Sequence, residues 1–230
     1  MNNKLRLLLT GFGPFPGAPF NPTEPLVARL IRLRRPALEE VELSGHIFPV
    51  TYAAVDRELA QLLAERRPQA LLMFGLAART PYLRVETRAR NAVTTLWPDA
   101  SHAHVSRGLI TAGADALAFG PHTSRLLRAA LATGIDARAS RDAGRYLCNY
   151  LSWRAIEATG RASGPRLAAF VHIPLLGRDG AAAAKPATMP MTLDRLVDAG
   201  EAMLLEMLKL TRQALRQARV PASPRPESPA

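Results

Sequence analysis

The sequence predicts an α/β layered domain, because short apolar runs alternate along it with longer segments of helical period. Its 230 residues are 48% hydrophobic and 21% charged, which is enough apolar material for one substantial core. We find no internal repeat and no clean linker. We therefore expect one domain over residues 1–220, followed by a Pro/Ser-rich tail at 221–230 that lacks periodicity and is expected to be disordered.

The N-terminal part predicts strands and helices in turn. A buried strand at 5–10 leads into a turn-rich stretch, after which Asn21 is predicted to cap a helix that has Pro22 at its first position. That helix is expected to run to about residue 34, before Pro36. The elements predicted after it are a strand at 41–50, a helix at 53–66 and a strand at 70–74.

The C-terminal part continues the alternation. Residues 82–90 alternate apolar and polar, which predicts a half-buried strand with Leu83 and Glu86 on opposite faces. Residues 92–121 are predicted to form a loop. The elements predicted beyond it are a helix at 122–132, a strand at 135–139, a helix at 145–158, a strand at 167–173 and a helix at 192–219.

The charge raises the question of a polyanionic partner, since 30 Lys and Arg residues against 19 Asp and Glu give a net charge of +11. Of these 30 basic residues, 27 are arginines and only three are lysines, and the arginines are scattered along the chain. Scatter of this kind indicates a compositional bias, and no DNA- or RNA-binding motif is visible. A nucleic-acid-binding protein therefore ranks below an enzyme, and no nucleic acid is expected as a partner.

The lone cysteine excludes an internal disulfide framework and a Cys-rich zinc site, because both need several sulfurs. The four histidines other than His172 lack metal-ligand spacing, so we expect no metal. No apolar run approaches the roughly 18–20 residues that span a bilayer. We expect a cytoplasmic protein with no membrane partner, where a single thiol stays reduced.

Cys148 and His172 are the candidate catalytic pair. If the strands at 135–139 and 167–173 are parallel neighbours joined by a right-handed crossover, the start of the intervening helix and the end of the second strand share one sheet edge. Cys148 lies in that first turn and His172 at that strand end. A helix N-terminus and a nearby imidazole lower the pKa of a thiol, as a nucleophile requires. The alternative is an inert buried cysteine and a hydrogen-bonded core histidine.

The glycine-rich loop after the first strand does not fit a dinucleotide-binding fingerprint, because Pro16 stands where the third glycine is needed. The loop instead carries Phe12 and Phe15, which suit a pocket for a compact, uncharged ring. The alternative is that they close the end of the core.

Several motifs together resemble the pyroglutamyl peptidases, also called pyrrolidone-carboxylate peptidases. The carrying segments lie in the family's order between residues 5 and about 175. They are Thr10-Gly11-Phe12-Gly13-Pro14-Phe15 with Asn21-Pro22-Thr23-Glu24, Gly75-Leu76-Ala77 through Glu86 to Asn91, Ala143-Gly144-Arg145-Tyr146-Leu147-Cys148-Asn149-Tyr150, and Phe170-Val171-His172-Ile173-Pro174.

The resemblance implies a three-layer αβα sandwich around a mixed, mostly parallel sheet, working without metal or cofactor. It implies Cys148 as nucleophile, His172 as general base and then acid, and Glu86 as the residue that orients the histidine. Phe12 and Phe15 would be walls of the pyroglutamyl pocket. Peptides with an N-terminal pyroglutamate would be the substrates, and a homo-oligomer remains open.

The chain also departs from the family pattern. Arg79-Thr80 replaces a Gly-Arg pair, Thr87 replaces an arginine after the glutamate, and Leu96 replaces an arginine that the family uses near the site. Arg84, Arg88 and Arg90 are the candidate substitutes for the lost cation. These changes leave a second hypothesis, a divergent homologue of the same fold with weak or redirected amidohydrolase activity.

Overall fold

A computed structural model describes residues 4–15, 17–176 and 190–218. The predicted disordered tail at 221–230 lies outside the described residues. The elements in chain order are β1 (Leu5–Phe12), α1 (Thr23–Leu30), β2 (Val41–Phe48), α2 (Tyr52–Arg66), β3 (Ala70–Leu76), β4 (Leu83–Glu86), β5 (Arg88–Arg90), β6 (Ala116–Ala118), α3 (His122–Leu131), β7 (Ala137–Ser140), α4 (Leu147–Thr159), β8 (Leu167–Ile173) and α5 (Leu193–Gln217).

Six strands form one mixed sheet in the order β2-β1-β3-β8-β4-β7. Four of its five strand pairs are parallel, and only β4 against β8 is antiparallel. The strands β5 and β6 pair separately as a short antiparallel ribbon. The predicted mixed, mostly parallel sheet is confirmed.

Helices cover both faces of the sheet, and strand residues alternate between them. Leu7 and Leu9 of β1 pack into the core under α1, α3 and α5, whereas Leu8 packs into the core under α2 and α4. The same alternation in β3 and β8 gives each face a continuous apolar layer. The result is the three-layer αβα sandwich that the family resemblance implied.

The strand predicted over 82–90 is interrupted at Thr87. The backbone N–H and the hydroxyl of Thr87 both donate to the carbonyl of Ser140, at 2.7 and 2.8 Å, and this ends β4. The next three residues leave the main sheet as β5 and pair with β6, a strand in the segment predicted to be loop. Helix α1 also ends at Leu30, earlier than predicted, because the chain enters a turn ahead of Pro36.

The predicted crossover between neighbouring parallel strands is wrong. β4 lies between β7 and β8, and because it is parallel to β7 and antiparallel to β8, the two strands run in opposite directions. The first turn of α4 and the end of β8 must therefore meet for another reason, which the geometry of the site supplies.

Candidate active site

The candidate residues lie on the sheet face that α2 and α4 cover. Phe170 packs into the core on that face, and His172 follows two residues later on the same strand, so its side chain points the same way. In β4, Leu83 and Val85 pack against the opposite core, which turns the residues between and after them toward α4. Glu86 and Arg84 are therefore on the side of His172, as the sequence alternation predicted for Glu86.

Cys148 reaches this face as the second residue of α4. Gly75 on β3 pairs in register with His172 on β8, so the two backbones are adjacent. A Cβ atom on Gly75 would lie only 2.8 Å from the Cys148 Sγ and 2.6 Å from Cζ of Phe170. The missing side chain of Gly75 thus makes the space in which the sulfur lies beside the histidine strand.

His172 and Glu86 form a buried pair. Glu86 has no exposed surface and His172 is 3% exposed. The Nδ1–H group of His172 donates to Oε1 of Glu86 at 2.8 Å, which leaves Nε2 without a hydrogen in the neutral ring. Burial lowers the pKa of His172, and the hydrogen bond and charge of Glu86 only partly offset that effect. The ring is therefore neutral at neutral pH.

The thiol of Cys148 differs from the expectation drawn from its helix position. Burial raises its pKa to about 12, and the charge of Glu86 acts in the same direction while that of Arg84 lowers it. The backbone N–H of Cys148 in the first turn of α4 lowers the pKa, as expected at a helix N-terminus, but burial outweighs this effect. The structure therefore holds a neutral thiol near a neutral imidazole.

Arg84 is a member of the site that the sequence named only as a candidate substitute for a lost cation. It lies directly opposite His172 in the antiparallel register. Its Nη2 is 3.2 Å from Nδ1 of His172, and its Nε is 3.5 Å from Oε1 of Glu86. Arg84 is identified by its pairing with His172 across neighbouring strands. That pairing depends on the strand order, which the sequence does not reveal.

A cavity of about 500 Å³ connects these groups to solvent. Cys148 and His172 line it together with Phe12 and Phe15, so the structure brings both predicted pocket residues to the predicted catalytic pair. Glu86 lies behind His172 and does not line it. Residues that sequence reasoning missed are also on its wall, notably Asn21, Trp97, Asp142 and Tyr146.

The residues that depart from the family pattern fall in different places. Arg79 and Thr80 line the cavity, whereas Thr87 ends β4 and is bonded to Ser140. Leu96 is 79% exposed next to Trp97, so this position presents no cation to the site. Of the three candidate substitutes, only Arg84 lines the cavity.

A larger cavity of about 710 Å³ lies away from this site, beside β2 and the end of α1. None of the candidate residues lines it. Its Arg35 is already engaged in two hydrogen bonds with the Glu201 carboxylate. The cavity lined by Cys148 and His172 is therefore the candidate active site.

Within the described residues, no cluster of three or more His, Cys, Asp or Glu side chains has the arrangement to hold a metal ion. Over the same ranges, no helix combines the length and apolar character needed to cross a membrane.

Comparison with known proteins adds an independent line of evidence. A family model described as pyroglutamyl peptidase matches residues 5–208. The pyrrolidone-carboxylate peptidase of Gloeobacter violaceus is 31% identical over 212 residues, which cover 92% of this chain and 100% of the relative. That of Pyrococcus furiosus is 27% identical over 173 residues, covering 75% of this chain and 82% of the relative.

Solved structures agree. The crystal structure of the pyrrolidone carboxyl peptidase from Fervidobacterium islandicum superposes with a TM-score of 0.79 at 27% identity, covering 90% of this chain and 99% of that one. The enzyme from Thermococcus litoralis gives a TM-score of 0.78 at 25% identity, covering 96% and 99%.

Proposed function

Because the chain belongs to the pyroglutamyl peptidase family, a family of cysteine peptidases, we propose that Cys148, His172 and Glu86 are its catalytic residues. The protein is a hydrolase that acts on peptides. The observation that carries the assignment of residues is one cavity that holds the lone thiol, an imidazole oriented by a buried carboxylate, and two phenylalanines.

The reaction begins with both groups neutral. Nε2 of His172 takes the thiol proton as the Cys148 sulfur attacks the carbonyl carbon that joins the pyroglutamyl residue to the next amino acid. The C–N bond then breaks, and the imidazolium returns its proton to the leaving amine. Water attacks the thioester with His172 again as base, which releases pyroglutamate and restores the thiol.

Glu86 acts through His172. Its carboxylate accepts the Nδ1 hydrogen, which fixes the tautomer with a basic Nε2 and stabilises the imidazolium that forms during attack. Since His172 is neutral beforehand, the ring is ready as a base across the neutral range.

The first turn of α4 supplies donors for the oxyanion. Tyr146, the residue that caps α4, makes no side-chain capping hydrogen bond, which leaves the first N–H groups of the helix for a ligand. Leu147 and Cys148 line the cavity, which supports these N–H groups as donors to the oxyanion.

The pocket selects a terminal residue without charge. Phe12 is buried and Phe15 is partly exposed, and both present aromatic surface to the cavity. A pyroglutamyl lactam lacks the α-ammonium group of an ordinary N-terminus, whose desolvation in such a pocket is costly. We therefore propose N-terminal pyroglutamyl peptides as the substrates.

The test is turnover of a pyroglutamyl anilide. We expect release of the aniline by the native protein, and loss of at least about 1,000-fold in Cys148→Ala and Cys148→Ser, with melting temperatures close to native. An alanyl anilide with a free amine controls for selectivity. No turnover of the pyroglutamyl anilide at micromolar enzyme would refute the substrate assignment and favour the divergent homologue.

Location and partners complete the proposal. A nucleophilic thiol is maintained in a reducing compartment, which supports a cytoplasmic protein. No nucleic acid is expected as a partner, and DNA retention that falls steeply with salt would contradict this. A homo-oligomer stays open to measurement.

A further inference from the structure

The buried Glu86 carboxylate has few partners. Its Oε1 accepts from His172, while Oε2 has no hydrogen-bond partner among the residues that the structure describes. A buried carboxylate without compensation is strongly disfavoured. Among the described residues, the cation that pairs with it is Arg84, with 3.5 Å between Nε and Oε1.

Arg84 also contacts the imidazole itself. Its Nη2 lies 3.2 Å from Nδ1, the atom that donates to Glu86. Nδ1 carries one hydrogen and cannot also accept from Arg84 while it donates to the carboxylate. The guanidinium therefore acts on the pair through its charge and its packing, from the strand position opposite His172.

We propose that Arg84 is a positioning residue, whose guanidinium holds the Glu86 carboxylate against Nδ1 of His172 and so sets the direction in which the imidazole presents Nε2. The inference rests on the proposed function, in which His172 is the base. It identifies the cation that contacts the Glu86–His172 pair.

The other candidates for this role are engaged elsewhere. Nε of Arg88 donates to the carbonyl of Arg141, and Arg90 forms an ion pair with Asp142. Neither side chain lines the cavity. Arg84 is thus the arginine of β4 and β5 that contacts the Glu86–His172 pair.

The charge of Arg84 gives the proposal a measurable signature. The charged and titratable groups around His172 are Glu86 and Arg84 on β4, Asp142 before α4, and the Cys148 thiol. Arg84 lowers the pKa of His172, whereas Glu86 and Asp142 raise it. Removing the cation must therefore move proton uptake by the Glu86–His172 pair to higher pH.

The experiment compares Arg84→Met, which keeps an unbranched stem without charge, with Arg84→Lys, which keeps the charge. Arg138→Met is the matched control, because Arg138 pairs with Arg84 in register one strand further from His172 and is ion-paired to Asp136. The pH profile of kcat/KM is measured on the pyroglutamyl anilide. The imidazole of His172 is titrated by NMR in the same proteins, with His172→Gln to assign its signal.

We expect Arg84→Met to lower kcat/KM at pH 7 by about 10- to 100-fold and to shift both the acid limb and the His172 titration to higher pH. Arg84→Lys should restore most of the activity, and Arg138→Met should match the native protein. Arg84→Gln provides the uncharged comparison if Arg84→Met does not fold.

An unchanged pH profile and an unchanged His172 titration in a folded, uncharged Arg84 variant would overturn the proposal, even if activity fell. If the native protein does not cleave the anilide, the proposed function fails, and the NMR titration still decides whether Arg84 controls the pair.

Discussion

Gly75→Ala tests the geometry of the site with the smallest change the chain allows. Returning the new methyl carbon to ordinary contact, 3.4 Å or more, requires a shift of about 0.8 Å at Cζ of Phe170 and about 0.6 Å at the Cys148 sulfur. Phe170 is fully buried in the core under α4, so its ring has little room to move. The sulfur, which faces the cavity, takes up much of the displacement.

The expected cost has two parts. Overpacking of a tight core destabilises a protein by about 1–3 kcal/mol, so the melting temperature of Gly75→Ala should fall by several degrees. Displacement of a catalytic atom by 1 Å can cost about 100-fold in rate, so we expect kcat/KM to fall by about 10- to 100-fold. The loss in kcat/KM should persist well below the melting temperature.

The assay is anilide turnover with thermal melting, and Gly13→Ala is the matched control. Gly13 follows β1, and a Cβ there would lie 3.7 Å or more from its neighbours, an ordinary contact. Native kcat/KM in Gly75→Ala would show that the sulfur does not lie where we place it. An equal loss in Gly13→Ala would show that the effect is not specific to the contact with Cys148.

Three further experiments have expected outcomes. Glu86→Gln should lower kcat by about 100-fold or more and move the acid limb of kcat/KM to lower pH, since Glu86 raises the pKa of His172; an unmoved limb would contradict the pair. Phe15→Ala should raise KM for the anilide about 10-fold, measured by steady-state kinetics, at an unchanged melting temperature. Phe12 is buried, so Phe12→Ala should lower the free energy of unfolding by about 3–5 kcal/mol, measured by urea unfolding. Burial lowers the pKa of His122 and His172, so the unfolded chain binds more protons than the folded chain below about pH 6.5. The free energy of unfolding should therefore fall below that pH by up to about 1.4 kcal/mol per pH unit for each histidine. Urea unfolding of His122→Gln at pH 5.5 and pH 7 should show a smaller fall than in the native protein.

Periodicity was sufficient for the long elements of the fold. The strands that carry Phe12 and His172 are largely apolar runs, and the helix that carries Cys148 follows a turn and buries many of its side chains, so their place in the chain was predictable. The ribbon of β5 and β6 was not, because three-residue strands are too short to show a period. Its pairing depends on contacts distant in sequence, such as the hydrogen bonds of Asn91 to Thr111 and Ala114.

The chemistry of the thiol was predicted with the wrong sign for a physical reason. Sequence shows that Cys148 begins a helix, and a helix N-terminus favours an anion. It does not show that Cys148 is half-buried with its sulfur against the strand that holds Gly75, where desolvation disfavours the thiolate. Because the thiol is desolvated, we expect it to pass its proton to a neutral His172 as it attacks. The helix N-terminus alone would instead have predicted a thiolate in the free enzyme.

The meeting of Cys148 and His172 shows which sequence feature was informative. The predicted crossover would have brought them to one sheet edge, but β7 runs against β8 and is separated from it by β4. What brings them together is the face of the sheet: the two-residue alternation turns His172, Arg84 and Glu86 toward the layer that α4 occupies, and α4 begins over Gly75, beside the end of β8. The face of the sheet to which a side chain points depends on local alternation, so it could be predicted from the sequence. Which strands are neighbours depends on the strand order, which could not be predicted. The same distinction explains why the face that Glu86 occupies was predicted, whereas the position of Arg84 opposite His172 was found only in the structure.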